Sequence, residues 1–592
     1  MEIITVDENH CVGCNACVRV CPVHANITRL KEDTTDEFIT TIDPNACINC
    51  GECVKICRHN ARNYHDHIDT FAEYFESKKE MILIAAPSIR TSFPDGTWKT
   101  LLSLLRMHGN CRIYDVGFGA DICSYVYNKY MTEHPSKKII TQPCPAVVNY
   151  IQKYKPELLS YLSPVLSPAG CLSVWLKKYQ HETAPIFMLS PCIAKTSEAE
   201  REGFYDYNVT FRNLAKYMDK HKADLNQLED FEFDAKEGTI GRMYPMPSGL
   251  KQTMLMLNPS LVIRNTEGIQ DLYPSLDRYE QTPDAKKPDI LDVLNCRHGC
   301  NCGTALPEEE TSLLEVEQVM NTIMEDSVSE TAGGFLGIGK FKQFKEFEKT
   351  LRTEDFMTSY KDESIHRPSL TMQEYEEIFT QMHKNDPASH NLNCGACGYS
   401  QCRDMAYAIH YHLNVKENCF DYLKKRMKDE YSELQEKYNT LLVETGHEPI
   451  ELPKKETQSQ QTASQNITSA PMPYPNSAHY QNPVQYSSQG SNPLNPNPYP
   501  NPNQYPNVMP YPAPAPYPMQ TPMVTPVQNP APMPVQMPMP APVQAPVQTL
   551  NQYAAMNPVQ YQYGNSGQAP VQNPNPYAPQ PNQYIPDPDK KF

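Results

Sequence analysis

The sequence predicts a multidomain chain with an α/β domain at its centre. A small α+β domain precedes it, and a small helical module and a disordered tail follow. Three observations carry this. Residues 78–305 alternate short apolar runs with amphipathic stretches, the order of strand and helix in an α/β domain. Cysteines recur at CxxC spacings before and after that region. From Thr457 to Pro586 there is no Asp, Glu, Lys or Arg.

The whole chain bounds the possibilities. Its 592 residues exceed what one core usually serves, roughly 250–300 residues. A net charge of −17 argues against nucleic acid or an anionic membrane as a main partner, since both would be repelled. No N-terminal segment has the charged-then-apolar form of a signal peptide. No apolar run approaches the ~20 residues of a membrane span. The 20 cysteines, at CxxC spacings in a long chain, point to metal ligands in a reducing cytoplasm rather than disulfides.

Residues 1–63 open with Cys11-x2-Cys14-x2-Cys17-x3-Cys21-Pro22, then Cys47-x2-Cys50-x2-Cys53-x3-Cys57. This is the bacterial two-cluster ferredoxin spacing. A tight loop brings three thiolates to three corners of one cubane, and the fourth cysteine crosses to the other. Cys11, Cys14, Cys17 and Cys57 are therefore assigned to one 4Fe-4S cluster, and Cys47, Cys50, Cys53 and Cys21 to a second. Zinc is the competing ligand assignment. Arg58 stands where a Pro usually follows the second run, and Arg58 and His59 are expected to tune the potential by positive charge.

In residues 78–305, Met81–Pro87 reads as a buried strand and Thr97–Gly109 as a helix stopped by Gly. Cys111–Asp121 reads as a strand with its exit loop, and the stretch after Cys144 as a helix. Ligands are expected on loops at strand ends. Four cysteines stand out: Cys144 in TQPCPAV, Cys192 in SPCIAK, and Cys296 and Cys300 in LNCRHGCNCG. A CxxxC pair alone is weak, but two further Pro-flanked cysteines make a dispersed thiolate set.

TQPCPAVVNYIQKYKPELL, SPCIAKTSEAE and DVLNCRHGC, in that order, resemble the three cysteine motifs of the iron-only (di-iron) hydrogenases. IAAPSIR at Ile84–Arg90 resembles the opening of that catalytic domain. The resemblance spans about residues 1–305 and implies an α/β hydrogenase-like catalytic-type domain. It implies that Cys144, Cys192, Cys296 and Cys300 hold a 4Fe-4S cluster, with or without a di-iron subsite, Cys300 bridging to that subsite where present. Pro87, Ser167 and Lys195 match the family; there the lysine contacts a cyanide ligand of the subsite. Ser167 and Lys195 are accordingly the catalytic candidates.

The departures from the family are specific. Its proton-relaying cysteine is Pro143 here, which has no titratable group. Its Met before the second Pro–Cys is Ser190, its acidic proton-route residues are Val126 and Tyr127, and its Gly–Gly-x-x-Glu stretch corresponds to Ser248, Gly249 and Gln252. A missing positioned acid costs about 10²–10⁴-fold in rate. Cys111, Cys123 and Cys171 read as small buried hydrophobes, and Cys302 as an alternative or redox-active thiol.

Residues 306–388 form a connector with helices over Glu308–Met324 and Gln373–Lys384. In residues 389–422, Cys394-x2-Cys397-x4-Cys402-x16-Cys419 resembles the four-cysteine iron–sulfur module of some electron-transfer and sensory proteins. It predicts another 4Fe-4S cluster, with zinc as the alternative, and a covering helix over Arg403–His412. In 423–446, Met427, Tyr431, Leu434, Tyr438 and Leu441 follow a heptad seam. It serves either a homodimer or a helix packed on the module. The Pro/Gln/Asn/Tyr-rich tail, 447–592, lacks a core pattern and is expected to be disordered. It is either a solubilising spacer or a segment that recruits a partner.

Function follows as three alternatives. The first is a hydrogenase-like iron–sulfur protein in redox or hydrogen sensing or electron transfer. The second is a catalytically active di-iron hydrogenase using another proton route. The third is an iron–sulfur cluster assembly factor, since some eukaryotic assembly factors share this domain. The implied partners are a redox protein such as ferredoxin and a signalling or tail-binding protein.

Overall fold

The N-terminal cysteine loops are clipped together by short strands. In this computed structural model, which describes residues 2–34, 37–220, 231–307, 312–332, 341–365 and 368–450, β1 (Ile4–Val6) pairs antiparallel with β4 (Arg62–Tyr64). β2 (Asn26–Leu30) pairs likewise with β3 (Phe38–Ile42). Each cysteine run ends in a short helix, Ala16–Arg19 or Glu52–Ile56, entered through left-handed backbone at Asn15 (φ 60°) or Gly51 (φ 81°). That reversal folds each loop back over itself.

Further strands follow: β5 (Glu80–Ala85), β6 (Asn110–Asp115), β7 (Ile139–Ile140), β8 (Ile186–Ser190), β9 (Tyr207–Thr210), β10 (Ile263–Glu267) and β11 (Ile290–Leu294). They form two parallel sheets, ordered β6-β5-β8-β9 and β10-β11-β7. The domain is mixed α/β, as the alternation predicts. Met81 to Ala85 and all of β8 are buried, as an unbroken apolar run requires when both faces of a parallel sheet are covered. The helix Thr97–His108 stops at Gly109 as expected.

Cys111–Asp121 departs from expectation. β6 ends at Asp115 and Val116–Glu133 is helical at once, with no exit loop; the Asp115 carboxylate caps it by accepting the Gly117 N–H (3.0 Å). The glycines of this stretch serve close packing. A Cβ on Gly119 would lie 2.2 Å from the Pro168 carbonyl oxygen, because this helix crosses Pro168–Val174 nearly backbone to backbone. After Cys144 the helix Pro145–Tyr154 is present, but Pro156 turns the continuation into 3₁₀ geometry over Pro156–Tyr161.

The connector helices are Leu313–Ala332 and Met372–Gln381, each shifted from its expected bounds, with Lys342–Thr350 between them. The start expected at Glu308 lies outside the described residues, as does the tail from 451 onward. The buried Asp121 carboxylate ties the connector to the core. It accepts bonds from the Thr239 and Gly241 N–H groups (2.6 and 2.7 Å) and from Gln343 Nε2 (2.9 Å).

The final helix, Phe420–Glu444, buries Tyr422 near its start. The reading in which its seam packs on the module is not what the structure holds: Met427, Tyr431, Leu434, Tyr438 and Leu441 are all exposed. Among the described residues, no helix is long and apolar enough to cross a membrane.

Gly119→Ala is expected to cost about 1–3 kcal/mol through overpacking, seen as a lower urea midpoint at unchanged slope. Burial raises the Asp121 pKa from 3.8 to about 7 against its hydrogen-bond donors. Between those values the folded chain keeps a proton that the unfolded chain releases, so stability falls as pH rises. Asp121→Asn should flatten that fall across pH 5–7, while lowering stability overall because its amide nitrogen cannot accept a bond. Urea midpoints across that range check it.

Candidate functional site

Three loops at the carboxyl ends of parallel strands converge on one cavity. Cys144 follows β7, Cys192 follows β8, and Cys296 and Cys300 follow β11. A cavity of about 90 Å³ is lined by all four, together with Pro87, Pro143, Lys195 and Asp292. This is the crevice where open parallel sheets usually hold ligands.

The local sequence explains how thiolates are supported there. Cys144 is the N-cap of the helix Pro145–Tyr154, with Pro145 at the position where a missing N–H costs nothing. Burial pushes the Cys144 thiol up, opposed by backbone N–H groups of Asn295, Val147 and Ala146. Burial likewise pushes Cys192 up to about 12, with the Lys195 charge and N–H groups of Lys195 and Ala194 opposing. Cys296 and Cys300 are also raised, by burial first and then by neighbouring charges. Thiols so costly to ionise alone become ligands when a metal cluster takes up their charge. The donor set fits an iron–sulfur cluster.

Lys195 is 8 % exposed; its Nζ donates to Ser167 Oγ (3.4 Å) and is ion-paired with Glu198. Burial disfavours the Glu198 carboxylate, yet Lys195 holds its pKa below the usual range. Ser167 Oγ caps the helix Pro168–Val174 by accepting the Gly170 N–H (3.2 Å), so it supports the lysine from behind the cavity wall. Val126 and Tyr127 are fully buried. Ser190 Oγ donates to Asn208 (2.7 Å). Asp292, which the sequence reading missed, faces the cavity with its pKa raised by burial to about 6.

The N-terminal thiols show the same support. Backbone N–H groups of Ala25, Thr40 and Asn49 donate to Cys21 (3.3 Å), Cys11 (3.4 Å) and Cys47 (3.3 Å). Burial raises Cys47 to about 11. The cation against these sulfurs is neither Arg58 nor His59, both exposed, but buried Arg62, whose Nη2 donates to Cys17 Sγ (3.1 Å) and to the Thr40 carbonyl (3.0 Å). The second loop also abuts the cavity's ligand loops. Asn149 Nδ2 donates to the Ile48 carbonyl (3.1 Å), Asn295 Nδ2 to Glu52 (3.3 Å), and Lys55 Nζ to the Cys302 carbonyl (3.0 Å).

In the C-terminal module Cys397, Cys402 and Cys419 are buried and Cys394 is exposed. The Asn393 N–H donates to Cys402 Sγ (3.3 Å), and the helix Cys402–His410 covers the loop much as expected. Cys123 and Cys171 are buried and both donate to the Leu166 carbonyl (3.3 and 3.4 Å); Cys111 is half-buried. Cys302 is half-buried and does not line the cavity.

Comparison with known proteins agrees with this geometry. The family model of the iron-only hydrogenase large subunit, C-terminal domain, matches residues 79–270; the 4Fe-4S dicluster domain matches 10–61, and an Fe-S cluster model matches 391–419. The periplasmic Fe hydrogenase large subunit of Nitratidesulfovibrio vulgaris is 27% identical over 368 residues, 52% of this chain and 87% of that protein. The cytosolic Fe-S cluster assembly factor NAR1 of Encephalitozoon cuniculi is 34% identical over 123 residues, 20% of this chain and 32% of that protein. Two structures of the FeFe-hydrogenase HydA1 from Chlamydomonas reinhardtii, one an apo form, are each 17% identical with a TM-score of 0.39. Each covers 51% of this chain and 100% of its own. These matches support an iron–sulfur protein with an iron-only hydrogenase large-subunit domain over residues 79–270 and a ferredoxin-like N-terminal segment.

Arg62→Gln should lower the midpoint potential of the N-terminal clusters, since a buried cation favours the more negative reduced state. A tenfold loss of that preference is about 60 mV for one electron, measured by an anaerobic redox titration.

Proposed function

We propose that this protein is a hydrogenase-like iron–sulfur protein used in redox or hydrogen sensing, or as an electron-transfer component, rather than a fast hydrogenase. The observation behind this is Pro143 on the cavity wall beside Cys144, in a cavity whose four thiols are intact. With a cubane and di-iron subsite bound, the cavity would gain hydrogen binding and an electron source. The chain itself contributes thiolates supported by backbone N–H groups, a buried lysine held by Glu198 and Ser167, and largely apolar walls that exclude water. A side chain able to hand over a proton within hydrogen-bond reach is absent at position 143.

The full set of cofactors proposed is two 4Fe-4S clusters in the N-terminal domain, one in the cavity, and one in the C-terminal module. The proposed setting is the cytoplasm, where thiols stay reduced, although the relative from N. vulgaris is named as periplasmic. A redox protein such as ferredoxin is the proposed external partner. Asp292 on the cavity wall favours, as a second reading, an active hydrogenase with another proton route. The assembly-factor reading has less support, because the similarity to NAR1 covers 20% of the chain.

An anaerobic infrared spectrum of protein produced with hydrogenase maturation enzymes should show carbon monoxide and cyanide bands. Full iron and sulfide without those bands would leave an electron relay or redox sensor. Pro143→Cys should raise hydrogen evolution from reduced viologen by about 10²–10⁴-fold. Wild-type rates typical of the enzymes would overturn the favoured reading, and their loss in Asp292→Asn would establish the second. The exposed seam of Phe420–Glu444 is proposed to pair with that of a second copy. Light scattering should then give a dimer for the wild type and a monomer for Leu434→Glu.

A further inference from the structure

The C-terminal module is held against the N-terminal domain by hydrogen bonds and close packing. Asn15 and Asn418 exchange side-chain amide bonds, Nδ2 of each donating to Oδ1 of the other (2.8 and 3.0 Å), and both residues are buried. The Thr28 N–H donates to the Leu413 carbonyl (2.9 Å), and Arg19 donates to the Gly395 carbonyl (3.1 Å). Gly398 sits so close that a Cβ there would lie 2.8 Å from Val18 Cβ. Between the two cysteine sets stands Tyr399, 3 % exposed, its ring 5.1 Å from that of His24. His24 lies three residues after Cys21 and Tyr399 two after Cys397, and Tyr399 shares one hydrophobic core with both cysteines.

A second buried tyrosine holds the matching place on the other side. The Tyr273 hydroxyl donates to Asn295 (2.6 Å), the residue preceding Cys296, and Asn295 Nδ2 donates to Glu52 (3.3 Å), two residues after Cys50. Cys21 and Cys50 belong to the same proposed ligand set. One hydrophobic core runs through the whole arrangement, joining Cys47 and Cys53 to Cys397, Cys402 and Cys419, with Cys144 packed against it.

We propose that the cluster held by Cys21, Cys47, Cys50 and Cys53 is the branch point of an intramolecular electron chain. One arm crosses Tyr399 to the C-terminal module, and the other passes Tyr273 to the four-cysteine cavity. This rests on the electron-transfer reading above and adds its route. The step is a single electron leaving the reduced module cluster and arriving on the oxidised branch cluster. No bond forms or breaks, and an external low-potential one-electron reductant supplies the charge. Asn15 and Asn418 are positioning residues that hold the two sets at fixed separation. The module is therefore a second electron port, distinct from the cluster of Cys11, Cys14, Cys17 and Cys57.

The test is electron paramagnetic resonance of the full-length, iron-loaded protein reduced with dithionite. The module's signal is assigned by its loss in Cys402→Ser. In the wild type it should be broadened by spin coupling and resist power saturation. In Asn418→Leu, at unchanged iron content, it should narrow and its half-saturation power fall severalfold. A module signal in the wild type that saturates as an isolated cluster, or a module holding zinc, overturns the branch point. Should Asn418→Leu lose iron, the wild-type line shape still decides. Infrared spectroscopy separates the two claims: a coupled module without carbon monoxide bands keeps the electron route and removes the hydrogen site, and the converse result does the reverse.

Discussion

Burying sulfur is the constraint on which this molecule depends. A thiol deep in protein resists ionisation because the charged form loses its water, and burial raises Cys144, Cys192, Cys296 and Cys300 in the cavity as well as Cys47 and Cys53. Ligation reverses that preference only where donors and cations already wait. Hence the backbone N–H groups at Cys11, Cys21, Cys47 and Cys402, the helix start at Cys144, and Arg62 against Cys17. Metal binding and folding are then one free-energy problem. The left-handed turns and short strands of the N-terminal domain serve to aim N–H groups at sulfur.

The parallel sheets solve the same problem at the cavity. Strand ends fix three loops in register, so four cysteines, the first and last more than 150 positions apart in sequence, face one void of about 90 Å³. Lys195 is kept buried by an ion pair with Glu198 and a bond to Ser167. A buried charge with its partner removed would be strongly unfavourable, so the lysine and glutamate stand or fall together. The matched Ser167 thus has a structural task, helix capping and lysine support, whatever the cavity does chemically.

Much of this was legible in the sequence, and the parts that were not share a cause. The apolar run at Met81 gave a buried strand because it is a local pattern, and the resemblance of three motifs named the four cysteines that line the cavity. The loop expected before Asp121 is a helix because a glycine packed against Pro168, as Gly119 is, and a glycine in a loop look alike until the crossing helix is known. Arg62 was missed for Arg58 because charge near a cluster was judged by nearness in sequence, whereas β4 brings Arg62 under Cys17 across the sheet. Asp292 escaped notice because it lies within an apolar strand, where its burial and the cavity it faces are tertiary facts. The amide pair between Asn15 and Asn418, 403 residues apart, leaves no local trace at all.

The two halves of hydrogen chemistry make unequal demands on a protein, and the function proposed above rests on that inequality. Electron transfer asks for clusters held close through packed, water-free matter, and tolerates change in the residues between. Proton transfer asks for a titratable atom within about 3 Å of the reacting centre, and one substitution breaks it. On the reading proposed above Pro143 offers no such atom, whereas Tyr399 and Tyr273 share one hydrophobic core with the cysteines around them. A site wired for electrons but poorly supplied with protons turns over slowly and so stays in whichever state its surroundings impose. That is the property a sensor needs and a fast enzyme must avoid.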